Sequence, residues 1–310
     1  MKSKGAEGAE YLRLATTLLQ RIRLASPEGG IWEAADIQWW SRRDQRAGLF
    51  WLDEDGEPLA AFLSTGFRSG VQCDVLVLPS AGEDFARDVW EAAIARVADA
   101  EFTVRLDDET GIAMLTEAGY TLADPAGVIA CWLDAADRPP VPALADGYRL
   151  LSRAGEPSEA GEPSGGRPHP MIGRNGPDVE KRLRECSLYR PELDLELVTP
   201  DGETAGYGLF WPDPVTGVGL VEPIRTEEGH EGRGLASHLV GTGLDLLAAY
   251  GCRRLKVGND RGLYRRAGFR RLDSATAGSY ARSGSCARAA SYARAGSYTR
   301  TGSYERPDGA

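Results

Sequence analysis

The sequence predicts an α/β fold (α+β in arrangement, with mixed sheets) built as two tandem domains and followed by a disordered C-terminal tail. Three observations carry this. Two apolar pairs, "LFWLDEDGEPLAAFLS" around Asp55-Gly56 and "LELVTPDGETAGYGLF" around Asp201-Gly202, read as β-hairpins. Each is followed by the same succession of short strand, helix, strand and a short helix that ends in Ala-Gly-aromatic. The landmarks also keep a steady spacing: 146 residues separate Asp55 from Asp201, and 149 separate Gly119 from Gly268.

In the first half, Leu12, Ala15, Leu18, Leu19 and Ile22 recur at helical spacing and predict an amphipathic helix over 9–24. After the hairpin come a strand in "CDVLVLP" (73–79), a helix over 84–98, a strand in "FTVRL" and a short helix running into "MLTEAGYTL" (114–122). The second half repeats them as "VGLVEPI" (218–224), a helix over 235–249, "RRLKV" and "LYRRAGFRRL" (263–272). The expected boundaries are a domain over 1–137, a proline-stiffened linker over 138–146, a domain over 147–273 and a tail over 274–310. The repeat "AGEPSEAGEPSGGRPHP" (154–170) reads as a flexible loop standing where the second half should carry its first helix. The tail consists of five hexapeptides over 278–307, beginning "GSYARS". It offers no aliphatic core residue to offset the entropy of ordering it, so it is expected to be disordered and without a fixed role.

Composition narrows the function. A net charge of −10 argues against binding nucleic acid through its phosphates. The start lacks the apolar run of a signal peptide, and no stretch approaches the ~20 apolar residues that span a bilayer, so a cytoplasmic protein with no membrane partner is expected. Cys73, Cys131, Cys186, Cys252 and Cys286 are scattered, and His169, His230 and His238 form no zinc spacing; no metal is expected. A monomer and a homodimer both stay open.

The informative stretch is "RTEEGHEGRG", which leads from the strand "VGLVEPI" into the helix at Leu235. A helix N-terminus offers unpaired N–H groups and about half a positive charge, which suits a pyrophosphate. Gly232 and Gly234 remove side chains that would keep phosphates off the backbone, and Arg233 can add a charged contact. The segment "EGRGLA" resembles the acetyl-CoA motif of the GNAT N-acetyltransferase superfamily, Gln/Arg-x-x-Gly-x-Gly/Ala, with Glu231, Gly234 and Ala236 at its three defined positions. "GNDRGLYRRAGF" resembles that family's partner signature at Asn259, Leu263, Tyr264, Gly268 and Phe269. The tandem arrangement is similar to that of mycothiol synthase-like actinobacterial acyltransferases.

The resemblance implies two tandem GNAT-like domains and an acyltransferase of the class that transfers groups other than amino-acyl groups. It implies acetyl-CoA as co-substrate and a small-molecule or protein amine as acceptor, acylated by direct attack in a ternary complex. It further implies a CoA-binding set of Gly232, Arg233, Gly234, Leu235, Ala236 and Asn259, with Tyr264 as the acid that protonates the thiolate. Glu222, the carboxylate on the preceding strand, is the expected base.

Several residues depart from the pattern. Glu231 puts a negative charge near the phosphates, with Glu227 and Glu228 close by, an expected loss of about 1 kcal/mol in binding. The Asn259-to-Tyr264 interval is short, and Gly241 and Gly243 sit inside the binding helix at about 1 kcal/mol each. The alternative reading is therefore a catalytically impaired GNAT-fold protein that binds CoA or acts as a scaffold. The first half carries "AGEDFARDVW" at the equivalent turn, without paired glycines and with acids where phosphates would sit; it is expected to bind no CoA. Trp32, Trp39 and Trp40 are expected at the core or between the domains, or lining an acceptor pocket.

Overall fold

The two Asp-Gly turns close their hairpins alike: Asp53 N–H donates to Glu57 O and Thr199 N–H to Glu203 O, both at 2.9 Å, and Gly56 and Gly202 each take φ +83°. The protein is described here by a computed structural model that covers residues 2–41, 46–67, 70–97, 100–154, 162–163 and 166–282. The first half runs β1 (Lys2–Glu7), α1 (Gly8–Ala25), α2 (Ala34–Trp40), β2 (Ala47–Leu52), β3 (Pro58–Phe67), β4 (Gly70–Val77), α3 (Glu83–Ile94), β5 (Glu101–Arg105), α4 (Glu109–Glu117) and β6 (Tyr120–Asp134). The second runs β7 (Arg149–Ser152), β8 (Glu162–Pro163), α5 (Ile172–Asn175), α6 (Val179–Glu185), β9 (Asp194–Val198), β10 (Thr204–Asp213), β11 (Val218–Thr226), α7 (Leu235–Ala249), β12 (Arg254–Val257), α8 (Gly262–Arg266) and β13 (Arg270–Arg282).

Among the described residues, thirteen strands join one sheet, in the order β1-β2-β3-β4-β5-β13-β6-β12-β11-β10-β9-β7-β8. Each half holds an antiparallel meander that ends in a parallel pair, β4 with β5 and β11 with β12, crossed over by α3 and α7; in the second half the short β8 also lies parallel to β7 at the edge. The halves then exchange their last strands. The end of β6 pairs with β12 (Leu133 with Leu255), while the end of β13 pairs with β5 (Ser279 with Thr103). Cys131 and Leu133 of β6 accordingly lie in the core of the second half, and Tyr280 of β13 lies in the core of the first. A further core joins α1, Trp32 and Trp39 to Leu183, Leu209 and Trp211.

Three expectations change. The segment after Arg270 is strand as far as Arg282, so residues 274–282 are not tail, and the first hexapeptide places Tyr280 and Ala281 in the interior. What the expectation lacked in aliphatic residues is supplied by an aromatic ring and by partners on both sides of the strand. The rest of the expected tail, and most of the loop at 154–170, lie outside the described residues. The second half does carry helices at its front, α5 and α6, short and placed just after that loop, with Val179 and Leu183 buried.

The glycines of α7 have a packing reason. A Cβ on Gly243 would stand 2.0 Å from the Phe210 ring of β10, and one on Gly241 would stand 3.0 Å from Pro142 of the segment joining the halves. The helix gives up propensity to lie close to the sheet. Gly243→Ala, favourable by helix propensity alone, is therefore expected to lower stability by about 1–3 kcal/mol through overpacking, measurable as a fall in the urea midpoint.

Candidate functional site

β11 and β12 stay paired only from Val218–Arg254 to Leu220–Lys256, and β11 then continues to Thr226 without β12 beside it. Glu222 stands just past this parting. After β11 the chain turns through residues 227–234 into α7, whose N-cap is Gly234 in the left-handed region at φ +79° with no side-chain cap. Gly229 and Gly232 also take positive φ, +85° and +74°. At all three glycines no atom lies within 4 Å of where a Cβ would stand, so the turn presents bare backbone to open space in front of the helix. Leu235 is buried as the first helical residue, Ala236 is half-buried, and Arg233 is exposed with its guanidinium 3.4 Å from Gly229 O.

Two acids of the turn, Glu227 and Glu231, are engaged. Glu231 Oε2 accepts the Gly229 N–H at 2.8 Å. Glu227 takes both guanidinium nitrogens of Arg174 at 2.8 and 2.9 Å and the Arg225 Nε at 3.2 Å. Burial pushes the Glu227 pKa upward, but the two arginines outweigh it and hold the carboxyl below its ordinary value. The matching turn of the first half differs: α3 opens with Glu83 and Asp84 in its first turn, so that helix end already has its negative charge.

Beyond the parting, Tyr264 on α8 is 6% exposed, with the Asn259 side chain near enough to favour its ionised form. Burial and then the nearby Glu222 raise the Tyr264 pKa well above that of a free phenol, which keeps it protonated. The structure thus brings Glu222, Tyr264 and Asn259 into one electrostatically linked group. The Glu222 main-chain carbonyl accepts the Trp211 indole N–H at 2.7 Å, fixing the strand at that residue. Its side chain keeps some surface open, yet the packed walls around the carboxyl, followed by the charge of Asp36, push its pKa up to about 8. The Trp40 N–H and the charge of Lys256 oppose that rise.

Of these groups Trp40 was among the tryptophans considered for an acceptor pocket, while Asp36 and Lys256 were not legible as site residues; Trp40 and Asp36 come from the first half. Lys256, 2% exposed on β12, donates to Ile31 O at 2.7 Å and to Glu33 Oε1 at 2.8 Å. Arg23 forks onto the same Glu33 carboxylate. Glu33 N–H donates to Asp36 Oδ2 at 2.8 Å. Burial drives Glu33 upward, but Lys256 and Arg23 reverse this and hold it below the ordinary carboxylate range. Burial raises Asp36 to about 6 and lowers Lys256 despite its partner. Of the three tryptophans, Trp39 faces Trp211 at 6.3 Å between centroids, and Trp32 and Trp40 meet edge to face at 4.8 Å. Trp32 donates to Asp74 of β4 at 2.7 Å, and Trp40 donates to Glu222 of β11 at 3.3 Å. The cluster therefore lies between the halves and also forms one wall of the site. Among the described residues no group of three or more His, Cys, Asp or Glu could hold a metal, and no helix is long and apolar enough to cross a membrane.

Residues 174–269 match the family model described as Acetyltransferase (GNAT) family. Over 98 residues the chain is 39% identical to the uncharacterized N-acetyltransferase YhbS of Escherichia coli (strain K12); the match takes in 30% of this chain and 59% of that protein, so the chain spans little more than half the length of the curated relative. Among solved structures it is similar to a tandem GNAT protein from the clavulanic acid biosynthesis pathway, with a TM-score of 0.59 and 15% identity over 90% of this chain and 98% of that one. It is also similar to the glucosamine N-acetyltransferase region of a fungal multi-domain GH3 beta-N-acetylglucosaminidase, with a TM-score of 0.52 and 13% identity over 90% of this chain and 38% of that one. At these identities the structural likeness is one of fold.

The raised Glu222 carboxyl has a consequence for stability. Its folded pKa lies above the unfolded value, so the folded state holds the extra proton; the associated stability is complete below the unfolded pKa and is lost as pH rises through about 8. Glu222→Gln, neutral at every pH, should therefore gain on the wild type between pH 6 and pH 9 by at least about 1 kcal/mol, read from urea midpoints at the two pH values.

Proposed function

Residues 174–269 belong to the GNAT acetyltransferase family within a tandem GNAT fold, and on that premise we propose that the chain is an N-acyltransferase moving an acetyl or related acyl group from CoA to a primary amine. The observation that carries the proposal is the placement, on either side of the parted β11 and β12, of a bare glycine turn leading into an uncapped helix and of the Glu222–Tyr264–Asn259 group. Acetyl-CoA is the co-substrate. Its pyrophosphate sits on the backbone of residues 232–236 with Arg233 beside it, and Asn259 holds the thioester arm or its neighbouring backbone. The anticipated repulsion from the acids of the turn is reduced by the engagement of Glu227 with two arginines and of Glu231 with the Gly229 N–H.

In this reading the amine nitrogen attacks the thioester carbonyl. A new C–N bond forms, the C–S bond breaks, Glu222 takes the proton from nitrogen directly or through a water, and Tyr264 delivers its own proton to the departing sulfur. A phenol held above its ordinary pKa remains protonated until a thiolate develops beside it, and a carboxyl near pKa 8 is partly ionised at working pH. Residues 147–273 hold this chemistry. Residues 1–137 bind no CoA and serve as the structural partner that closes one wall of the site.

Acetyl-CoA mixed with a panel of amines should release free thiol. Tyr264→Phe should lower kcat by about 10²-fold with acetyl-CoA affinity unchanged. Gly234→Trp should abolish acetyl-CoA binding in calorimetry while circular dichroism stays that of the wild type. CoA binding without turnover across the panel removes the transferase reading and leaves a silent CoA-binding protein.

A further inference from the structure

Glu222 sits on the half that carries the glycine turn, yet the polar group that holds its carboxylate comes from the other half. Trp40, at the end of α2, donates its indole N–H to Glu222 Oε1 at 3.3 Å, and its ring is braced edge to face against Trp32 at 4.8 Å. Trp32 is in turn tied to Asp74 on β4 at 2.7 Å, so the donor is anchored in the sheet of the first half. The second carboxylate oxygen points a different way: Oε2 lies 3.7 Å from where a Cβ on Gly258 would stand, toward the residues that follow β12. One oxygen is tied and the other faces the parted strands.

We infer that Trp40 is a positioning residue of the site: its N–H fixes the Glu222 carboxylate, favours the ionised form and directs the free oxygen toward the acceptor nitrogen. Its catalytic consequence rests on the transferase reading above. The groups facing Glu222 are Asp36 of α2, which opposes its ionisation, and Lys256 of β12, which favours it; Tyr264 of α8 lies near enough to feel its charge. Glu33 and Arg23 act one step removed, through Lys256. Among these, the indole N–H donates to the carboxylate itself, so its removal acts on orientation and ionisation together.

The test replaces the N–H and keeps the ring. Trp40→Phe, and a full-length protein with the isosteric benzothienylalanine at position 40, are titrated by carbon NMR of carboxyl-labelled glutamate, with Glu222→Gln assigning the resonance. Both variants should move the Glu222 midpoint upward by about one unit, a tenfold loss of ionised form below it. The inflection of kcat/KM against pH should move with that midpoint, and the KM for acetyl-CoA should stay as in the wild type. The benzothienyl variant separates the loss of the donor from any misfolding of the Phe variant. A Glu222 midpoint unchanged in both overturns the inference, as does an inflection that does not follow the midpoint. Wild type that shows the Glu222 shift but no turnover with any amine overturns the transfer reading, and with it the catalytic role assigned to Trp40.

Discussion

The interaction on which most of the structure depends is the buried ion pair of Lys256 with Glu33, doubled by Arg23 on the same carboxylate. Two cations and an anion held almost out of solvent are costly unless every one finds its partner, and removing a partner from such a group typically costs 3–5 kcal/mol. Glu33 and Arg23 belong to the first half and Lys256 to the parted strand of the second. The charges thus tie the segment bearing Trp32 and Trp40 against the second half's sheet. Around the pair, Trp132 of the exchanged strand β6 receives the Arg23 and Arg254 guanidinium groups at 4.9 and 4.4 Å from its ring. Lys256 also lies near the carboxylates that face the site, so the joint between the halves and the electrostatics of the site share one set of charges.

Much of this was legible in residues close together in sequence. The Asp-Gly hairpins, the helix of Leu12 to Ile22, and the strand–turn–helix around Gly232 and Gly234 each announce themselves within one turn or one period. So did the candidate chemistry, because Glu222 and Tyr264 sit beside recognisable landmarks. The strand exchange was not legible. The two Ala-Gly-aromatic landmarks lead into Tyr120 and Arg270, but nothing local says how far each strand runs or which edge it will join, and the hexapeptides read as tail from residue 274 on. Tyr280, inside a hexapeptide that looks like low-complexity tail, is buried only because β5 and β6 receive it on either side. Lys256 carried one weak sign, a lone charge between Leu255 and Val257 in a parallel strand, where runs are otherwise apolar.

The two halves share a backbone plan but differ in charge at the start of the crossover helix. Both crossover helices begin after a positive-φ glycine, Gly82 in one and Gly234 in the other. In the first half Glu83 and Asp84 occupy the helix N-terminus with their own charge; in the second, the first turn has no acid and no side-chain cap. Where the anion end is filled, what the half contributes instead is a wall: Trp40, Asp36 and Glu33 all lie on or beside one short helix aimed across the joint.

The exchanged strands also set an order of events during synthesis. The stretch of β13 that pairs with β5, Ala277–Tyr280, lies far downstream of it in the sequence, so β5 lacks that neighbour until the C-terminal half is made. An edge of that kind, waiting for a distant segment, is exposed to pairing with another chain. The contacts that close the sheet, β13 with β5, are among its most distant strand pairings in the sequence, the kind that form slowly.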